Sequence, residues 1–233
     1  MDAKRLRARL RRSWRKDIRP LLILALVLCS IRSSLADWNV VPTGSMKPTI
    51  LEGDRVLVDK RAYDLKVPFT TWHLAEWANP QRGDIVVFYS PKDGTRLVKR
   101  VIGLPGDVVE LRGNHLILNG VPVEYEALDE KPLRDVSVID RASHTFATEK
   151  LPGQTHAVAG YPSVPARRDF AGERVPAGHY FMMGDNRDDS YDSRYFGTVE
   201  RQRIIGRARS VVMSLDLDHY WIPRWDRFFS KLD

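Results

Sequence analysis

The stretch Asp84-Ile85-Val86-Val87-Phe88-Tyr89-Ser90-Pro91-Lys92-Asp93-Gly94-Thr95-Arg96-Leu97-Val98-Lys99-Arg100-Val101-Ile102-Gly103-Leu104-Pro105-Gly106-Asp107 decides the fold class. Two runs rich in β-branched residues, 84–89 and 96–102, flank a break of Pro, Asp and Gly, which is a strand–turn–strand pattern. Ile85 to Tyr89 is apolar on successive residues, so it fits a strand covered on both faces rather than one with a wet side. Working outward, residues 54–59, 107–111 and 115–118 have the same character, and 179–183 and 203–215 resume it later. Asn119-Gly120 is a strong hairpin turn, since both residues tolerate positive φ. The chain reads as mainly β.

Between these strand-like regions, residues 124–175 are more polar and contain Pro132, Pro152, Pro162 and Pro165 with clustered charges, so they read as an inserted, looser subdomain. The expected organisation is a tail over 1–17, an anchor over 18–36, a β domain over 37–123 and 176–216, the insert, and an aromatic tail over 217–233. In that last tail Trp221, Trp225, Phe228 and Phe229 fall on one helical face. Core packing and contact with a membrane interface both account for such a face.

The whole chain of 233 residues has 37 Lys and Arg against 30 Asp and Glu, a net +7 that suggests nucleic acid until it is located. Residues 1–36 hold ten basic and two acidic side chains, whereas the remainder holds 27 and 28. A groove that tracks phosphates needs its cations on the folded domain, so no nucleic-acid partner is expected. The single cysteine, Cys29, excludes an intramolecular disulfide framework and a Cys-rich metal site.

Residues 21–31 are uninterruptedly apolar, but as a helix they span only about 16 Å, against a hydrocarbon core of about 30 Å. Extending the segment from Ile18 to Trp38, with Arg32 reaching for the headgroups, supplies the length. The excess of Lys and Arg before this segment predicts a cytoplasmic N-terminus. Ser34-Leu35-Ala36 also suits a secretory cleavage site, but Arg32 beside it is unusual for one, and an uncleaved anchor is the expectation.

Ser45 follows in Pro42-Thr43-Gly44-Ser45-Met46, a small-residue turn that presents a hydroxyl close to the anchor. A serine needs a base, and the six histidines lie in no recognisable local signature. Lys99 is another candidate, because strand alternation puts it on a face with Leu97 and Val101, where burial would lower its pKa. Thr43, two residues before Ser45, could pair its hydroxyl with the Ser45 N–H as an oxyanion hole. A plain turn and a surface lysine remain the alternatives. The segment 184–197, Gly-Asp-Asn-Arg-Asp-Asp-Ser-Tyr-Asp-Ser-Arg-Tyr-Phe-Gly, lacks the ligand spacing of a calcium loop, and an Asp–Arg network is preferred to a metal site.

Together Pro42 to Thr49, the run KRVIGLPGD from Lys99 to Asp107, and the run GDNRDDSYDSRYFG from Gly184 to Gly197 resemble bacterial type I signal peptidase, the leader peptidase family. The resemblance implies an antiparallel β domain with a smaller inserted β subdomain behind one transmembrane helix. It also implies a membrane serine endopeptidase, without cofactor or metal, that removes signal peptides at Ala-x-Ala-like sites on the outer face of the inner membrane. Its partners would be preproteins and the lipid bilayer. Carried over by motif, Ser45 is the nucleophile, Lys99 the general base, and Thr43 with Ser45 the oxyanion hole. Ser190 would orient the Lys99 amine, Asp192 and Arg194 would form a supporting salt bridge, and Val41 and Val98 would wall the substrate pocket. A noncatalytic, membrane-anchored β domain that binds partners is the competing reading from another class.

Overall fold

The computed structural model describes residues 14–67, 70, 72–217 and 219–232. Most of the expected basic tail, residues 1–13, therefore lies outside the described residues, as does the side chain of Arg32. A π-helical turn, Trp14–Ile18, leads into helix α1 (Arg19–Ser34). Among the described residues no helix is both long and apolar enough to cross a membrane. The expected continuation to Trp38 does not form. Strand β1 (Ala36–Val40) begins after a single intervening residue, because Asp37, Trp38 and Asn39 pair with the strand that follows. Lys60 clamps that junction, its backbone N–H donating to Leu35 and its ammonium to the Ser33 carbonyl.

The strands then follow in chain order. They are β2 (Asp54–Asp59), a hairpin of β3 (Asp64–Lys66) and β4 (His73–Glu76), β5 (Ile85–Tyr89) and β6 (Arg96–Gly103). Next come β7 (Val108–Arg112), β8 (His115–Leu118), β9 (Val121–Pro122) and β10 (Glu124–Ala127), then helix α2 (Val138–Ser143). After it stand β11 (Thr145–Leu151), β12 (Gln154–Gly160), β13 (Phe170–Arg174) and β14 (His179–Met183). Helix α3 (Ser193–Phe196), β15 (Val199–Glu200), β16 (Ile204–Asp216) and β17 (Ile222–Pro223) complete the order.

The main sheet runs β1-β2-β16-β5-β6-β14-β15, with β17 on β16, and every pairing is antiparallel. Strand β16 carries register shifts against both β2 and β5, which bend it and increase the local twist. As its unbroken apolar run predicts, β5 is buried on both faces: Val86 and Phe88 pack with Tyr63, Val101 and Met182, while Ile85 packs with Val41, Met46 and Ile50. The hairpin at Asn119-Gly120 forms with both residues at positive φ.

The insert holds more regular structure than its polar composition suggests. Strands β10, β11 and β12 form one sheet. Strand β13, inside the expected insert, instead pairs with β7, outside it, in a second small sheet β13-β7-β8-β9. The expected boundary at 123/124 thus falls between strands that share a core, where Leu111, Leu116, Leu151 and Phe170 pack together. The C-terminal aromatics do not form the expected helical face. Tyr220, Trp221 and Phe229 have positive φ, and Pro223 would break a helix through 221–229. The chain instead returns alongside β16, where the Phe229 N–H donates to the Val211 carbonyl and the Val211 N–H to the Ser230 carbonyl, leaving Trp221, Trp225 and Phe229 exposed.

Candidate active site

Ser45 sits on one 3₁₀ turn, Gly44–Met46, entered from an extended Thr43. Met46 and Ile50 are fully buried in the core beneath the sheet and hold this turn in place. From the other side, the Asn186 backbone N–H donates to the Ser45 carbonyl at 3.1 Å, and its side-chain amide donates to the Gly44 carbonyl at 3.3 Å. Gly184 explains how the loop comes so near. A Cβ there would lie 2.4 Å from the Ser45 carbonyl oxygen and 2.3 Å from Ser190 Oγ, so only glycine permits the contact.

Lys99, from β6, reaches the serine: Lys99 Nζ is 2.6 Å from Ser45 Oγ. Thr43 Oγ1 lies 3.4 Å from the same oxygen. Among the described residues no histidine bonds to Ser45. Lys99 is only 3% exposed and Ser45 8%. Burial outweighs the opposing pull of Asp192, Asp185 and Asp189 and, with a smaller lowering effect of Arg194, brings the Lys99 pKa from 10.5 down to about 8. The environment therefore brings deprotonation of the amine within about one unit of neutral pH, where an ordinary lysine would need a pH above about 10.

Asp192 and Arg194 form the expected pair, fully buried and bidentate at 2.8 Å for both contacts. Burial alone would raise the Asp192 carboxyl, but Arg194 outweighs it and holds the pKa below the ordinary carboxylate range. Ser190 differs from expectation. Its hydroxyl donates to Asp192 Oδ2 at 2.7 Å, while the Lys99 amine bonds to Ser45. A carboxylate is the stronger acceptor and lies two residues away, so it takes the Ser190 proton.

Two further buried pairs went unread in the sequence. Arg100, next to Lys99, grips Asp185 at 2.9 Å, and Thr49 donates to the same carboxylate at 2.5 Å. Behind them Arg187 grips Glu149 through two contacts of 2.7 Å. The basic and acidic residues clustered in 184–194 were the available signal, but their partners Glu149 and Thr49 lie far off in sequence. These pairs stiffen the loop against the serine turn.

Val41 and Val98 line a cleft of about 260 Å³ together with Thr43, Ser45, Met46 and Lys99. Strand β6 pairs with β14 only from Arg100 onward, so its first half, Arg96 to Lys99, presents an open edge on that side. The site thus unites a hydroxyl, a buried amine and a narrow cleft, which suffices for nucleophilic attack on a carbonyl with proton transfer to the amine.

Comparison with known proteins finds peptidases. The family model described as "Signal peptidase, peptidase S26" matches residues 12–213. The chain is 39% identical over 211 residues to signal peptidase I of Pseudomonas fluorescens, a match covering 85% of this chain and 71% of that protein. It is also 39% identical over 215 residues to signal peptidase I of Pseudomonas aeruginosa, with the same coverage. Signal peptidase I of Aquifex aeolicus is 34% identical over 222 residues, covering 83% of this chain and 82% of the other.

Proposed function

The chain belongs to the signal peptidase family, peptidase S26, and from that premise we propose that it is a membrane-anchored Ser/Lys endopeptidase cutting signal peptides from exported preproteins. The observation that carries the catalytic assignment is the 2.6 Å contact between Ser45 and a lysine removed from water. The neutral Lys99 amine takes the Ser45 proton as Oγ attacks the scissile carbonyl. The Thr43 hydroxyl and the Ser45 N–H receive the oxyanion. The Lys99 ammonium then protonates the leaving amine, giving an acyl-enzyme. Lys99 next deprotonates water, whose attack on the ester releases the acid and restores Ser45.

Asp192 and Arg194 act as a scaffold, to which the Ser190 hydroxyl is tied by its bond to Asp192. The cleft walls Val41 and Val98 leave room for small side chains, which supports Ala-x-Ala-like sites. An extended substrate can add to the open edge of β6 by main-chain hydrogen bonds. Anchoring is supported by the exposed apolar side chains of α1, such as Leu21 and Leu26, and by the basic residues before it. At about 24 Å the helix is shorter than the hydrocarbon layer, a mismatch that bilayer thinning and snorkelling flanks accommodate. The charge asymmetry supports an N-terminus in the cytoplasm and the β domain on the outer face of the inner membrane.

The test is preprotein processing by Ser45→Ala and Lys99→Ala chains, read by product mass, with circular dichroism confirming the fold. Both should be inactive. Turnover retained in either one sinks the dyad.

A further inference from the structure

A larger cavity than the one beside Ser45, about 630 Å³, lies where α1 gives way to β1. Its wall includes Ser34 from the helix end, four cations (Lys60, Lys66, Arg96 and Arg203) and Trp72. Among the described residues no carboxylate lines it. Each cation has a carboxylate at the outer limit of salt-bridge distance that does not itself line the cavity: Asp37 is 3.7 Å from Lys60 and 3.5 Å from Arg96, Asp64 is 3.6 Å from Lys66, and Glu200 is 3.9 Å from Arg203, while the two lysines also donate to the Ser33 and Ile204 carbonyls. Both lysines are largely buried, and that burial pushes their pKa down in spite of these neighbours. An anion in the cavity would relieve that cost. Ser34 supplies a second indication, since its hydroxyl is buried and has no hydrogen-bond partner among the described residues.

Such a wall fits a ligand with a negative charge and several acceptor oxygens, which describes a phosphodiester. Its position in the fold narrows the source. Helix α1 leaves the wall with its apolar side chains exposed, and the β3–β4 hairpin beside it exposes Trp72, Leu74 and Trp77. Aromatic side chains next to basic ones suit the boundary between headgroups and acyl chains. We propose that this cavity binds the phosphodiester headgroup of an anionic phospholipid, with Lys66 and Arg203 as charge partners and the Ser34 hydroxyl as donor. The placement of this headgroup in a bilayer rests on the anchoring reading above.

The full chain in a nonionic detergent is titrated calorimetrically with short-chain phosphatidylglycerol, short-chain phosphatidylcholine and inorganic phosphate. Phosphatidylglycerol should bind roughly tenfold more tightly than either of the others. The Lys66→Gln/Arg203→Gln chain should lose that preference, while Lys66→Arg/Arg203→Lys keeps it. Should the double Gln chain melt early, Arg203→Gln alone provides the comparison and should still weaken binding. Equal affinity for the two lipids, or Gln variants that bind phosphatidylglycerol as well as the parent, would overturn the proposal. Inorganic phosphate binding as tightly as the lipid would overturn it in favour of a free-phosphate site. Sedimentation with phosphatidylcholine vesicles at high salt tests the anchor separately. A parent chain that stays in solution there, yet still prefers phosphatidylglycerol, refutes the anchoring alone.

Discussion

Replacing Lys99 with Met keeps a flexible side chain of similar length and removes the ammonium. Burial lowers the lysine pKa from 10.5 to about 8, a difference that corresponds to about 3 kcal/mol of instability in the folded state when the amine is charged. The hydrogen bond to Ser45 offsets about 1 kcal/mol of it, so the Met chain should be about 2 kcal/mol more stable at pH 7. The pH dependence has a definite sign. Between the folded pKa of about 8 and the unfolded value of 10.5, the unfolded chain holds a proton that the folded chain has released. Parent stability therefore rises by about 1.4 kcal/mol per pH unit across that window, and the advantage of the Met chain disappears as the pH approaches 10. Denaturant midpoints of both full chains in detergent, at pH 7 and pH 10, measure the gap. The Met chain should process no preprotein at either pH. A Met chain less stable than the parent at pH 7, or a gap that does not change with pH, would show that the amine is not held against its own burial.

The same lowered pKa makes kcat/KM climb by about tenfold per pH unit below 8 and level off above it; a plateau already reached at pH 6 contradicts Lys99 as the base. Gly184→Ala forces a methyl group against the Ser45 carbonyl and Ser190 Oγ, and should cut kcat by about 100-fold with a smaller effect on the melting temperature. Asp192→Asn strands the Arg194 guanidinium in the interior and should cost about 3 kcal/mol, read as a lower denaturant midpoint.

Strand content was legible because alternating and continuous apolar runs report burial directly. The runs at 54–59, 115–118 and 179–183 coincide with β2, β8 and β14. What escaped was set by partners distant in sequence. Strand β1 looks like the end of an anchor until β2 is there to pair with it, and β13 looks like loop until β7 claims it. The aromatic tail has helical spacing, yet Pro223 and the positive φ of Tyr220 and Trp221 override it. At the site, Ser45 and Lys99 could be nominated from motifs, and their 54-residue separation closes to hydrogen-bond distance. Ser190 could be placed near them but not given its partner, since the competition between the amine and the Asp192 carboxylate is decided only in three dimensions.

The junction at Leu35 has a geometric consequence. With one residue between α1 and β1, and Lys60 fastening both sides of it, the β domain cannot swing freely on its stem. Strand β1 extends about 17 Å and only residues 41–44 separate it from Ser45, so the nucleophile is tied to the helix end by a short, paired path. On the proposed placement, the cut would then fall at a set height above the bilayer whatever the substrate's sequence. Slack introduced after Ser34, as a few Gly and Ser residues, should leave hydrolysis of a soluble peptide unchanged while blurring the cleavage position in a substrate held by the membrane.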